Sequence, residues 1–405
     1  MRNLMTTHLF MFLVMTLIAM ILSACTSTPN PTSTEEATPA TEEPPETTAT
    51  SEPVETPDAA PLGNRYGLVT DAGGLEDNPF NALIWQGMEQ AAEEFDVEVE
   101  YLTSDDEADY ADNIGKFVGE GYHGVVTVGF LMAEATETAA DVFSDVPFVI
   151  VDFPGREDNI LGIQFEVDQA SFLAGYLAAG MSQTEIICAY GGIRVEPITQ
   201  YLVGFEQGVA YYNQQNNAEV RLLGWKTSNL IEGGGDGVFT NDFENTETGR
   251  FFAENFFEEG CDIIFPVAGQ TGLGSAAAAQ ERNLAVIGVD IDQFEAAPEL
   301  SDVYLTSILK QADVAVFEAI AAIEDGTFQG GMTYEGTLAN EGVALAPFHD
   351  YDDAVPSELK DEIDQVRQDL INEEITTGWP VPRATPTPEP TSESESETEE
   401  DGDSQ

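Results

Sequence analysis

From about residue 64 onward, short apolar, β-branched runs alternate with longer stretches whose apolar residues recur every three to four positions. The runs YGLVTD, VEVEYL, GVVTVG, PFVIVD and ILGIQF predict a first series of strands. After a helix around 168–181, the runs EIICAYGG, VRLLGWKTS, DIIFPVAG and AVIGVD predict a second series. The intervening segments carry helical periodicity. In the first of them Phe80, Leu83, Ile84, Gly87, Met88, Ala91, Ala92 and Phe95 fall on one face. Strand–helix alternation predicts parallel sheets covered by helices, and two series predict two α/β lobes. No repeat of solenoid period is present.

The two ends break this pattern. Arg2 precedes the apolar run LFMFLVMTLIAMIL and the tetrad LSAC, Leu22 to Cys25. A charged start, an apolar stretch of signal length and small residues before a cysteine look like a bacterial lipoprotein signal over 1–24, with Cys25 as the lipidated residue. An uncleaved anchor is the alternative, but the run is short for a membrane span. Residues 25–62 are rich in Thr, Pro and Glu and have little to bury, so they read as a disordered tether. Residues 379–405 read as a disordered acidic tail of the same character.

Charge narrows the choice of partner. The 405 residues hold 13 Lys and Arg against 75 Asp and Glu, a net charge of −62. The acid is not confined to the ends, because residues 62–383 hold 59 acids and 12 bases. Nucleic acid and anionic membrane surfaces would be repelled, whereas a neutral ligand meets no such penalty. An acidic surface that resists aggregation is the favoured reading of the excess. Of the cysteines, Cys188 and Cys261 sit in apolar runs and read as buried free thiols, with a disulfide as the alternative. Neither has a histidine nearby to complete a zinc site.

Catalytic chemistry finds little support. His8, His123 and His349 lie away from the strand ends, and neither a nucleophile elbow nor a phosphate-cradling loop is present. The run GGGDGVF reads as a flexible loop, and DDEAD as a solvated turn rather than a calcium loop. Binding chemistry is better served. Open parallel sheets hold ligands beyond the carboxyl ends of their strands, where this chain repeatedly sets carboxylates and glycines. Asp71 and Asp290 offer acceptors, Lys310 and glycine N–H groups offer donors, and Phe80 and Phe243 offer flat faces. Each has a plainer alternative: Asp71 as a helix cap, Phe80 as core, Lys310 as a surface lysine.

These residues sit in a wider pattern. VTDAGGLEDNPFNALIWQGM resembles the opening of the basic membrane protein (BMP) family, whose characterised members are purine-nucleoside-binding lipoproteins of ABC importers. FEVDQASFLAGYLAAGMS, GGIRVEPITQYLVGFEQGV, DFENTETGR, DIIFPVAGQTGLG, VIGVDIDQ and LTSILK continue the resemblance in order over roughly 64–350. It implies an α/β type I periplasmic-binding-protein fold, with two Rossmann-like lobes of parallel sheets joined by a hinge. The lobes are expected at 63–180 plus about 290–315 and at 181–289 plus about 316–378. By the same resemblance Asp71, Asp290, Gly269 and Lys310 hold a ribose, Phe80 and Phe243 sandwich a base, and Asn81 and Asp152 read its edge. The chain departs from the pattern at NLIEGGGDGVFT, an apparent insertion that leaves Phe239 competing with Phe243, and at Pro79, where Ser or Thr is commoner.

The expectation is therefore a lipid-anchored, extracytoplasmic receptor. It is a monomer that captures a nucleoside and delivers it to separate permease and ATPase chains, with no cofactor, no metal and no catalysis. A sugar or another heterocycle as ligand, a sensing role without transport, and nucleoside hydrolysis are the alternatives.

Overall fold

A computed structural model describes residues 63–380, apart from 72–73, 76–77 and 230–233. The signal segment, Cys25, the tether and the acidic tail from 381 onward lie outside the described residues.

The first series runs β1 (Gly63–Thr70), α1 (Pro79–Phe95), β2 (Glu98–Thr103), α2 (Tyr110–Gly119), β3 (Tyr122–Val128), α3 (Ala133–Val142), β4 (Phe148–Val151) and β5 (Ile160–Phe165). The chain then passes through α4 (Val167–Met181) into β6 (Ile186–Gly191), α5 (Glu196–Asn216), β7 (Arg221–Leu223) and a small hairpin of β8 (Trp225–Thr227) and β9 (Gly235–Gly237). It continues as α6 (Thr246–Glu258), β10 (Ile263–Val267), α7 (Thr271–Gln280), β11 (Ala285–Asp290), α8 (Gln293–Ala296) and β12 (Tyr304–Lys310). The last elements are α9 (Ala312–Glu324), β13 (Thr333–Gly336), β14 (Val343–Leu345) and α10 (Ser357–Ile371).

Two sheets result. One has the order β13-β5-β4-β3-β1-β2 and is wholly parallel. The other has the order β14-β12-β11-β10-β6-β7 and is parallel except for β14. Their central strands are buried on both faces, as Val126 and Val151 on one face and Val125 and Ile150 on the other illustrate in the first. A side chain of this kind stabilises the fold by about 1.5–3 kcal/mol when fully buried. The continuous apolar runs of the sequence follow from this two-sided cover.

Local chemistry starts α1 where the site needs it. Asn78 caps the helix, accepting from the N–H groups of Phe80 and Asn81 at 3.1 and 3.4 Å, and Pro79 occupies the first turn. Such a cap contributes about 1 kcal/mol. In the second lobe, α4 packs on α5 at backbone distance. A Cβ at Gly204 would lie 2.2 Å from the Asp168 carbonyl oxygen, and one at Gly208 would lie 2.0 Å from that of Phe172.

Three readings of the sequence need correction. The lobe boundaries differ, because β12 pairs with β11 in the second sheet while α9 packs on α1 and β13 pairs with β5 in the first. Residues 304–310 thus belong to the second lobe and 316–336 to the first, the reverse of the expected assignment. Helix α4 also packs on second-lobe elements rather than closing the first. The chain passes from one sheet to the other after β5, after β12 and after β13. Secondly, Cys188 and Cys261 form a disulfide with Cα atoms 6.0 Å apart, because β6 and β10 are neighbours and bring the two sulfurs together. Thirdly, Gly235–Gly237 is not a loop but the β9 strand. Its glycines leave room for the Trp225 indole, which would lie 2.4 and 2.6 Å from Cβ atoms at Gly235 and Gly237.

Candidate functional site

In each sheet the strand order reverses at one place, and ligands of open α/β sheets bind there. In the first sheet the reversal falls between β1 and β3. Asp71 follows β1, and Gly129 follows β3 with φ +92°, so close that a Cβ on it would lie 3.2 Å from Asp71 Oδ2. In the second sheet the reversal falls between β6 and β10, where Gly192 and Gly269 follow the strands. The Phe243 ring covers Gly192 so closely that a Cβ there would sit 2.3 Å from it. The Phe243 carbonyl accepts from the Thr271 N–H at 3.1 Å, and Gly269, with φ +53°, adjoins the Phe243 side chain.

Lys310, the last residue of β12, lies at the centre. Its Nζ donates to Asp152 Oδ1 and Oδ2 at 3.0 and 2.9 Å and lies 3.4 Å from Asp290 Oδ1. It also sits 4.8 Å from the centroid of the Phe80 ring. Asp152 follows β4 and Asp290 ends β11, and both adopt left-handed backbone, with φ of +62° and +68°. Non-glycine residues pay a conformational cost there, and such outliers cluster at functional sites. Burial alone would lower the Lys310 ammonium, but the two carboxylates outweigh it and hold its pKa above the ordinary value.

Asn81 is fully buried and donates through Nδ2 to Asp71 Oδ1 at 3.2 Å. Burial pushes the Asp71 carboxyl up to about 7; the Asn81 hydrogen bond opposes this, while Asp152 and Glu244 add to it. Glu244 belongs to the second-lobe loop that carries Phe243. A cavity of about 900 Å³ adjoins the cluster through Asp152, and its wall includes Glu166, Glu196, Glu335 and Trp379.

Taken residue by residue, the structure joins Asp152, Asp290, Lys310 and Phe80 into one cluster, Asp71 and Asn81 into a second, and Phe243 and Gly269 into a third. The competition between Phe239 and Phe243 also has a structural side. Phe239 lies against Gly191, edge-on to Trp225 at 6.3 Å and under the Arg194 guanidinium at 4.4 Å, so its ring is occupied by packing. Tyr201 was missed altogether. It lies in the second turn of α5, is buried, and donates its O–H to Asp290 Oδ1 at 2.7 Å. The only signal in the sequence was its place soon after Pro197 in GGIRVEPITQYLVGF. Among the described residues no cluster suited to a metal ion occurs.

Two α/β lobes whose strand ends share one cluster of acids, a lysine and aromatic rings define a solute-binding receptor of the type I periplasmic-binding fold. The chain belongs to the Bmp family of PnrA-like ABC transporter substrate-binding proteins, which it matches over residues 66–229 and 237–380. It is 26% identical over 328 residues to the ABC transporter nucleoside-binding protein BmpA of Lactococcus lactis, covering 76% of this chain and 87% of that one. It is 27% identical over 288 residues to an uncharacterized lipoprotein of Pyrococcus abyssi, covering 68% and 67% of the two chains. A solute-binding protein of an ABC transporter system from Aeropyrum pernix shares the fold, with a TM-score of 0.68 and 23% identity over 77% of this chain and 92% of that chain. No helix among the described residues is long and apolar enough to cross a membrane. The family is one of binding proteins rather than enzymes.

Proposed function

We propose that this protein captures an uncharged nucleoside, with a purine base, between its lobes and delivers it to the permease and ATPase of an importer. The observation that carries the reading is the Lys310–Asp152–Asp290 cluster beside Phe80. A nucleoside needs acceptors for its hydroxyls and flat faces for its ring. Asp71 and Asp290 would hold the ribose, with Gly269 and Lys310. Phe80 and Phe243 would stack on the base, each contact contributing roughly 1–3 kcal/mol, and Asn81 and Asp152 would read its edge. The name of the Lactococcus lactis relative favours the same ligand class.

Charge argues against a nucleotide. Lys310 is already paired with two carboxylates, and Glu166, Glu196 and Glu335 line the adjoining cavity. Among the described residues Arg156 is the cation on that cavity wall, and it already pairs with Glu137 at 3.5 Å, so a phosphate would meet mainly repulsion. The protein acts as a monomer held to the outer face of the membrane by lipid on Cys25.

Calorimetric titration and thermal shifts with inosine, guanosine, adenosine, cytidine, ribose, free bases and AMP test the reading. A purine nucleoside at a hundred times its Kd adds about 2.7 kcal/mol of stability. AMP and ribose leave the protein unshifted. A response to ribose alone, or to AMP above adenosine, overturns the proposal.

A further inference from the structure

We infer that Tyr201 is a positioning residue that sets the sugar specificity of the cleft by holding Asp290 with one carboxylate oxygen turned to the ligand. The inference rests on the nucleoside reading above and assigns a role within the same site.

The two donors on Asp290 converge on one atom. Tyr201 O–H donates to Oδ1 at 2.7 Å, and Lys310 Nζ lies 3.4 Å from the same oxygen. Oδ2 has no hydrogen-bond partner among the described residues. The burial is graded in the same sense. Tyr201 is 1% exposed and Lys310 6%, whereas the Asp290 side chain keeps 24% of its surface open. The occupied oxygen therefore faces protein, and the free one remains as an acceptor on the open side.

The tyrosine is well built for this task. Its ring is anchored in the second-lobe core against Phe265, with centroids 6.3 Å apart. Its hydroxyl reaches the strand-end carboxylate from helix α5, 89 residues away in sequence. Burial and the Asp290 charge keep the phenol protonated, so Tyr201 donates and Asp290 accepts. A free carboxylate on left-handed backbone would rotate among several orientations. One fixed from behind by a rigid donor presents a single lone-pair direction, and a ligand hydroxyl meets it without an ordering cost.

The test is Tyr201→Phe, which keeps the ring. Affinities are measured by calorimetry for a purine ribonucleoside and its 2′,3′-dideoxy analogue. Wild-type protein prefers the ribonucleoside. Tyr201→Phe weakens ribonucleoside binding about tenfold, leaves the dideoxy analogue within twofold, and melts within a few degrees of wild type. Because Tyr201 acts through Asp290, the double variant Tyr201→Phe/Asp290→Asn binds the ribonucleoside no more weakly than Asp290→Asn alone. Equal loss for both ligands, or an unchanged preference, overturns the role of Tyr201 and leaves the nucleoside reading standing. Wild-type protein that binds neither compound overturns both.

Discussion

Lys310 and Asp152 tie the two lobes together. The ammonium stands at the end of a second-lobe strand, the carboxylate follows a first-lobe strand, and both carboxylate oxygens lie within 3.0 Å of Nζ. The pair is largely shielded from water, with side-chain exposures of 5% and 14%. Ion pairs in such a setting are unremarkable while intact and costly when one partner is removed.

Lys310→Met should therefore destabilise the protein by about 3–5 kcal/mol, since Asp152 loses its counter-charge in a buried site. Asp152→Asn combined with Lys310→Met should recover much of that loss. Urea unfolding of both variants checks the expectation, and a double variant as unstable as the single one would contradict it.

The two phenylalanines near the insertion should behave differently. Phe243→Ala should weaken purine nucleoside binding by roughly 1–3 kcal/mol, about five- to 150-fold, with little change in melting temperature. Phe239→Ala removes a ring packed against Trp225 and Arg194 and should cost roughly 2–3 kcal/mol of stability at this half-buried position. Affinity and melting temperature measured side by side separate the two roles.

Binding should depend on pH near neutrality. With its carboxyl raised to about 7, Asp71 is mostly protonated below that value and mostly ionised above it. Ligand hydroxyls donate best to the ionised form, so affinity should rise from pH 6 to pH 8 and level off beyond. Below pH 7 the fall approaches tenfold per pH unit. The groups acting on Asp71 are Asn81 from α1, Asp152 after β4, Glu244 after Phe243, and Tyr110 at the start of α2. Asp71→Asn should flatten the profile. Stability runs the other way, because a carboxyl raised in the folded state loses its contribution as pH climbs through about 7.

Reducing the Cys188–Cys261 bond should loosen the second lobe. A sequence separation of 73 residues predicts about 4 kcal/mol of stabilisation from the restricted unfolded chain. Replacing both cysteines by alanine should lower the melting temperature while leaving the cleft residues in place. Equal unfolding midpoints with and without reductant would contradict this.

The elements were legible in the sequence because strand and helix formation depend on local periodicity and caps. PFVIVD is a strand because four consecutive apolar residues sit between covered faces, and α1 starts at Pro79 because Asn78 caps it. Residues at strand ends were legible for the same reason, and Asp71, Asp152, Asp290 and Lys310 all stand where the runs end. Their partners were not. Nothing in local sequence says that β12 joins the second sheet while α9 returns to the first, that Cys188 meets Cys261, that Lys310 reaches across to Asp152, or that Tyr201 lies behind Asp290. Those contacts join residues from 73 to 158 positions apart, and strand order decides them. Periodicity says which residues form an edge; only the packed sheets decide which edges face each other, because that choice balances burial over the whole chain.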